Sequence, residues 1–358
     1  MKKNHLSWLV GLLVLVLAAA ILFVRFFSVT PDPSDPASGK SSSSSADPIS
    51  ATGFHFDTVV TIKIYDSTDE SLLDACMDLC DEYEALFSRT LETSEIYKLN
   101  HGTLPKDGDY YILSDMTADL IKKGLEYCRL SDGAFDITIA PVSSLWNFSS
   151  EDPTVPSDQD IQEALSFVGW ENVQLSGNRI RFLREGMEID LGGIAKGYIA
   201  DRLKEYLVES GVQSALIDLG GNVLCIGSRP DGTPFKIGIQ KPFAQRNETL
   251  AAVSLADKSL VSSGTYERNF ELDGVFYHHL LDPQTGYPCN NELTSVTIFS
   301  DSSADGDGLS TSCFVLGLEK GMELIDSLPD IYALFVTEDG TLHYSEGLSD
   351  TFSVSVTK

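Results

Sequence analysis

Basic residues are scarce in this chain of 358 residues: 25 Lys and Arg stand against 53 Asp and Glu, a formal net charge of −28 at pH 7. A nucleic-acid partner calls for a positive footprint on the protein, and this balance excludes one. The same deficit sets a condition on any phosphorylated ligand. Its charge has to be met locally, by a helix N-terminus, a lysine or a divalent cation, against a repulsive background. Cysteine is also sparse. Cys76, Cys80, Cys128, Cys225, Cys289 and Cys313 are too few for a disulfide scaffold, and a chain of this length builds a core without one. Cys76 and Cys80 lie one helical turn apart among Leu72, Leu79 and Tyr83, which is the pattern of buried thiols rather than of metal ligands. A Walker phosphate loop is absent too, because Lys196 is followed by Gly197 and Tyr198 where that motif requires Ser or Thr.

Long apolar runs are limited to residues 6–24 (LSWLVGLLVLVLAAAILFV), preceded by Lys2 and Lys3 and followed by Arg25. That length crosses a bilayer, and the two lysines favour an N-terminus kept in the cytoplasm. A cleaved signal peptide is the competing reading, with Ala18–Ala20 as the small-residue site. The apolar run continues past it, so residues 1–27 are expected to anchor the protein in the cytoplasmic membrane with the remainder outside. No cysteine lies near the segment, which argues against a lipoprotein. Residues 28–50 are rich in Ser, Pro and Asp and form a tether. Residues 51–358 carry the globular unit.

Within that unit, apolar periodicity predicts strands over 52–65, 172–175, 179–183 and 215–219 and helices over 69–87, 114–130 and 157–168. Ser114 or Asp115, and Ser157, are the expected caps. Phe135–Ala140 has a strand-like run halted by Pro141. From 235 onward the chain is β-rich, with Asp273-Gly274 as a hairpin turn, a helix starting near Asp307 or Leu309, and a second over 320–328. Strands and helices do not alternate regularly. The expected class is therefore α+β, a mixed β-sheet sandwich with flanking helices, and not a doubly wound parallel sheet.

One stretch organises the chemistry: residues 189–203, IDLGGIAKGYIADRL. It reads as a strand closed by Asp190, a glycine turn, and a helix that places Lys196 in its first turn. Free amides and a lysine at a helix start suit an anion, although a tight turn before a packed helix has the same letters. Asp218-Leu-Gly-Gly repeats Asp190-Leu-Gly-Gly and suggests two strand ends serving one site. Residues 301–312, DSSADGDGLSTS, resemble a calcium loop but end in Ser312 where a bidentate Glu is required. Asp307 and Thr311 are four apart and share a helix face, offering oxygens to a hard cation; Asp307 as a plain N-cap is the alternative. His278 and His279 close a strand and point to opposite faces, so at most one serves a site. Asp136 interrupts an apolar run, and its spacing leaves open whether it faces solvent or accepts from a ligand.

FSRTLETSEIYKLN, GAFDITIAP, IDLGGIAKGYIADRL, IDLGGNVLCIG, LVSSGTYERNFELDG, HHLLDPQTG and DGLSTSCFVLG occur in this order. Together they resemble the ApbE family of FAD:protein FMN transferases over about residues 51–345. The resemblance implies a magnesium-dependent enzyme that takes FAD as substrate, cleaves its pyrophosphate and attaches FMN to Thr or Ser of an exported redox protein. By that resemblance Phe56, Thr90, Ala134, Phe135, Asp136, Asp190, Lys196, His279 and Leu281 would line the FAD pocket. Gly193, through its carbonyl, Asp307 and Thr311 would hold Mg2+. His279, Lys196 and Asp307 are the expected catalytic groups, His279 to orient or deprotonate the acceptor hydroxyl because the unperturbed histidine pKa lies near neutrality, with a ligand-contact role as the alternative. An FAD pyrophosphatase releasing FMN and AMP, and a non-catalytic FAD-binding protein, are the rival readings.

Overall fold

The computed structural model describes residues 47–148, 150, 152–245 and 248–357. The apolar run at 6–24 and the tether up to residue 46 lie outside the described residues. No described helix is long and apolar enough to cross a membrane.

Eight strands form the central sheet, lying across it in the order in which the chain supplies them. They are Ile49–His55, Thr58–Ile64, Ala215–Leu219, Asn222–Ile226, Ser259–Gly264, Leu293–Ser300, Tyr332–Thr337 and Leu342–Tyr344. Every neighbouring pair is antiparallel. The expected mixed sheet is thus corrected to an antiparallel one. Each connection leaves and returns at the same end of the sheet, so the long helical excursions between strands are insertions and not parallel crossovers.

Side-chain alternation divides the sheet's two faces. Val60, Ile62, Ile64, Ala215, Ile217, Leu219, Val296, Ile298, Ala333 and Phe335 face the helices. Val223, Cys225, Leu260, Phe299 and Leu334 face the opposite way, onto Phe235, Ile237, Ile239, Ala251, Val253 and Leu255 of a three-stranded sheet. The layers are therefore helices, large sheet, small sheet, which keeps the expected sandwich.

The helical layer comprises Ser71–Phe87, Asp115–Leu130, Ala195–Glu209 and Ser303–Asp326. Ser71–Phe87 buries Leu73, Cys76, Cys80, Tyr83 and Phe87 along one stripe. At roughly 2 kcal/mol for each large apolar side chain removed from water, that stripe outweighs the helix's lack of a capping side chain. Ser114 and Ser157 cap their helices as expected, accepting from the amides of Thr117 and Asp160. All six cysteines are free, and burial pushes the Cys76 and Cys80 thiols up to about 12.

Three local expectations are corrected. Met187–Asp190 belongs to no strand, because the side chain of Asn100 takes the place of a pairing partner: it accepts from the Ile189 amide at 2.8 Å and donates to the Ile189 carbonyl at 2.9 Å. Phe135–Ala140 is a chain of turns leading into Ala140–Ser143, with the Asp136 carboxylate, not a strand, satisfying the Thr138 amide. With Met187–Asp190 unpaired, only the second of the two Asp-Leu-Gly-Gly segments ends a strand, which is part of the first correction. The third correction is the last long helix, which begins at Ser303, ahead of Asp307, and runs to Asp326 through a kink at Gly317 (φ 78°, ψ 178°).

Candidate active site

The early start of the Ser303–Asp326 helix follows from Ser302, whose hydroxyl accepts from the Asp305 amide at 3.3 Å, and from a carboxylate supplied from elsewhere in the chain. Asp201, on the Ala195–Glu209 helix, accepts from the amides of Ser303 (2.7 Å) and Ala304 (3.0 Å) and from the Ser302 hydroxyl (2.7 Å). A carboxylate at a helix N-terminus meets both the unpaired amides and the positive end of the dipole. The two helices cross closely at Gly197, where a side-chain carbon would strike the Ser303 carbonyl and stand 2.7 Å from Ala304 Cα.

That crossing sets Asp307 one turn inside its helix and against the first turn of the other. Asp307 Oδ2 accepts from the Gly197 amide at 2.6 Å, and Oδ1 accepts from Asn222 Nδ2 at 3.0 Å. The N-cap alternative for Asp307 is excluded, since Ser302 holds that position. Asn222 is itself fixed by the Ser303 hydroxyl, which donates to its Oδ1 at 2.5 Å. Gly197 is the third residue of its helix, so its amide has no acceptor within that helix and is free for Asp307; no backbone amide among the described residues donates to the Gly193 carbonyl. Thr311 lies one turn beyond Asp307 on the same face, its hydroxyl 3.4 Å from that of Ser263.

Burial raises the Asp307 carboxyl above the ordinary carboxylate range, against the opposing pull of Lys196, the Gly197 amide and Asn222. Asp218 is raised for the same reason and feels the same lysine. Lys196 makes no ion pair among the described residues and acts on Asp218, Asp307 and His279 through its field. Each Asp307 oxygen keeps a lone pair beyond its one hydrogen bond. A half-satisfied buried carboxylate, a free carbonyl and a hydroxyl are hard oxygen donors, and they fit Mg2+.

The glycine turn is held from the side. Asp190 Oδ2 meets Arg89 Nε at 3.1 Å and accepts from the Ser143 hydroxyl at 3.1 Å, while Oδ1 accepts from the Gly192 amide at 2.8 Å. The Asp190 amide donates to the Ile137 carbonyl at 2.7 Å, so the 134–138 segment runs beside the turn. A side chain at 193 would meet the Phe135 ring at 2.9 Å. Asp136 is buried, accepting from the Thr138 amide (2.7 Å) and hydroxyl (2.6 Å) and from the Trp170 amide (3.1 Å). Its carboxylate organises the Ala134–Asp136 backbone and neither faces solvent nor stands free for a ligand.

The two histidines divide as their strand position requires. His278 is buried, its Nε2–H donating to the Cys289 carbonyl at 3.1 Å and its Nδ1 accepting from the Leu280 amide at 3.3 Å. The Nδ1–H of His279 donates to the Arg268 carbonyl at 3.3 Å, since a carbonyl can only accept. Nε2 is left with its lone pair. Burial, then Arg268, lowers the His279 pKa to about 3, so the ring is neutral at physiological pH.

Lys196 is thus brought within range of Asp307 and His279, and Thr311 follows Asp307 on the same helix face; Gly193 lies in the turn before the Lys196 helix, with Asp190 and the Ala134–Phe135 segment alongside. Phe56, Thr90 and Leu281 make no hydrogen bond or ion pair to Asp307 or Lys196 among the described residues. Phe56 sits on the Phe56–Asp57 turn beside Gly220, where a side-chain carbon would strike Thr58. Thr90 is exposed next to Arg89. Leu281 packs with Trp146, Ile161 and Phe270. Sequence reasoning missed Arg89, Asp201 and Asn222, whereas the repeated Asp-Leu-Gly-Gly already singles out Asp218. Arg89 and Asn222 stood inside the quoted motifs, directly before Thr90 and after Gly221, while nothing in the letters marks Asp201 as a cap for a helix a hundred residues away.

An antiparallel sheet flanked by helices, with a buried carboxylate at a helix crossing, places the fold in the α+β class. The ApbE family profile matches residues 56–335, and the chain belongs to that family. An FAD:protein FMN transferase of Klebsiella pneumoniae is 39% identical over 283 residues, covering 78% of this chain and 86% of the relative. One from Treponema pallidum is 32% identical over 318 residues, covering 83% and 86%. Among solved structures, the ApbE protein of Thermotoga maritima superposes with a TM-score of 0.76 at 32% identity, covering 84% of this chain and 98% of its own. The flavin transferase ApbE of Vibrio cholerae gives 0.76 at 27% identity, covering 85% and 99%. The chain is accordingly an enzyme of the transferase class.

Proposed function

We propose that this protein is a magnesium-dependent FAD:protein FMN transferase whose acceptor is a Thr or Ser hydroxyl of an exported redox protein. The observation that carries the reading is the buried Asp307 carboxylate, held by the Gly197 amide and Asn222 with a lone pair left on each oxygen, one helical turn from the Thr311 hydroxyl on the same face. Held there, Mg2+ would neutralise charge on the pyrophosphate oxygens. The residues of the chain do the rest. Lys196 and the amides of the glycine turn bind the phosphates by charge and by donor geometry. His279 Nε2 takes the proton as the acceptor oxygen attacks the FMN phosphorus; the bond to the AMP phosphate breaks, and AMP leaves with the displaced oxygen. Arg89, Ser143 and Asp136 keep the turn and its neighbouring backbone in place.

The location follows from the sequence: residues 6–24 anchor the chain in the cytoplasmic membrane, and Lys2 and Lys3 direct the catalytic domain outward. Incubation with FAD, Mg2+ and an acceptor domain, followed by in-gel flavin fluorescence, tests the activity. A fluorescent acceptor band supports transfer. Free FMN with AMP would assign a pyrophosphatase instead, and intact bound FAD a carrier.

A further inference from the structure

A second cluster of metal-binding side chains lies at the end of the first hairpin, and the proposed transfer chemistry makes no use of it. His55, Asp81 and Glu84 each offer one donor atom, all within 4.8 Å of one another. His55 Nδ1 is 3.2 Å from Asp81 Oδ1 and 4.0 Å from Glu84 Oε2. Donors around a tetrahedral ion with bonds of about 2.0–2.1 Å stand roughly 3.3 Å apart, so the His55–Asp81 pair already has the spacing of a coordination shell and Glu84 stands slightly wider.

Three features hold the donors there. Asp81 and Glu84 are three residues apart on the Ser71–Phe87 helix and so share one face. The Phe56 amide donates to Glu84 Oε1 at 3.0 Å, which turns Oε2 toward the imidazole. The imidazole in turn lies over Gly53, where a side-chain carbon would stand 2.6 Å from His55 Nε2. The second, independent observation is at the ring itself. His55 Nδ1 is out of contact with solvent and has no hydrogen-bond partner, although two carboxylates lie beside it. A buried polar atom without a partner is costly, and an ion is one of the few things that satisfies it.

We propose that His55, Asp81 and Glu84 form a second cation site that takes a divalent transition-metal ion of the zinc type, separate from the magnesium site at Asp307. One imidazole and two carboxylates suit zinc and its neighbours, whereas magnesium prefers oxygen alone. Asp81 is 73% exposed and gives the ion a route in, while His55 at 11% closes the inner side. Bound there, the ion ties the strand end and the Phe56 turn to the helix.

The test is equilibrium dialysis of the chelator-stripped full chain against Zn2+ with Mg2+ in excess, the bound zinc being measured by atomic emission. One equivalent is expected for the unaltered protein and for Asp307→Asn. His55→Ala and Asp81→Asn should each weaken uptake by more than about tenfold. Asp81 is exposed, so the second variant keeps the fold if the first does not, and it leaves every thiol in place. No zinc uptake by the unaltered protein, or uptake that survives Asp81→Asn in a folded chain, overturns the proposal; the pair is then an ordinary histidine–carboxylate contact, or the zinc lies on cysteine.

Discussion

The Gly197 amide donates to Asp307 Oδ2 at 2.6 Å. As one of the first-turn amides that have no acceptor within their own helix, it joins two helices and anchors a buried carboxylate. The chemistry assigned to the site depends on that contact.

Asp307→Asn keeps the shape and can still accept from Gly197, yet it removes the charge that a cation needs. Transfer should fall by at least about 100-fold, in line with the loss of a single charge-stabilising group. Thermal unfolding should remain cooperative. Steady-state rates beside a melting curve check both halves, and an active Asn variant would remove Asp307 from the metal site.

Gly197→Ala drives a methyl group into the Ser303 carbonyl. The backbone cannot yield as a flexible side chain would, so a loss of about 1–3 kcal/mol or more is expected, with loss of activity following from separation of the helices. Urea titration reads the first, transfer assays the second.

Asn222→Ala removes the donor to Asp307 Oδ1 and the acceptor of the Ser303 hydroxyl together. Hydrogen bonds to a charged group are worth about 1.5–3 kcal/mol, and the buried carboxylate left behind becomes harder to keep ionised. The variant should need more Mg2+ for half-maximal rate and should unfold at lower urea. An unchanged Mg2+ requirement would show that Asn222 serves packing alone.

Two pH effects follow from the site's burial. With the Asp307 carboxyl raised by desolvation, protons compete with Mg2+ at higher pH than they would at an ordinary Asp near 3.9. The Mg2+ concentration for half-maximal rate should therefore climb as pH falls. The metal-free fold, by contrast, gains stability through this group as it takes up its proton. His279, with its pKa lowered to about 3, is already neutral well below pH 6.5. The rate should show no inflection at the ordinary histidine pKa, while stability from this group falls as pH drops from about 6.5 toward 3, because the unfolded chain protonates first. His279→Ala should lower transfer by about 100-fold or more if Nε2 takes the acceptor proton.

Much of this arrangement was legible in the letters. The helices at Asp115 and Asp158 carry periodicity and local caps, and the helix at Ser71, the hairpin at Asp273-Gly274 and the helix after the first glycine turn carry periodicity or turn chemistry, so short-range physics decides them. Met187–Asp190 and Phe135–Ala140 misled because alternation marks burial, and burial here is reached without strand pairing: the Asn100 side chain and the Asp136 carboxylate replace a neighbouring strand. The start of the Ser303–Asp326 helix was partly legible: Ser302, accepting from the Asp305 amide, is a local cap. Its reinforcement by Asp201 comes from a residue remote in sequence, which no local signal can announce. The antiparallel order was hidden by the insertions that separate its strands.

A crystal of the protein grown with FAD and Mn2+ in place of Mg2+ tests the account most directly, through the anomalous signal of the manganese. The account predicts a peak at metal–oxygen distance, about 2.1–2.2 Å, from the Gly193 carbonyl, an Asp307 carboxylate oxygen and the Thr311 hydroxyl. Manganese absent from that point, with FAD bound, would contradict it.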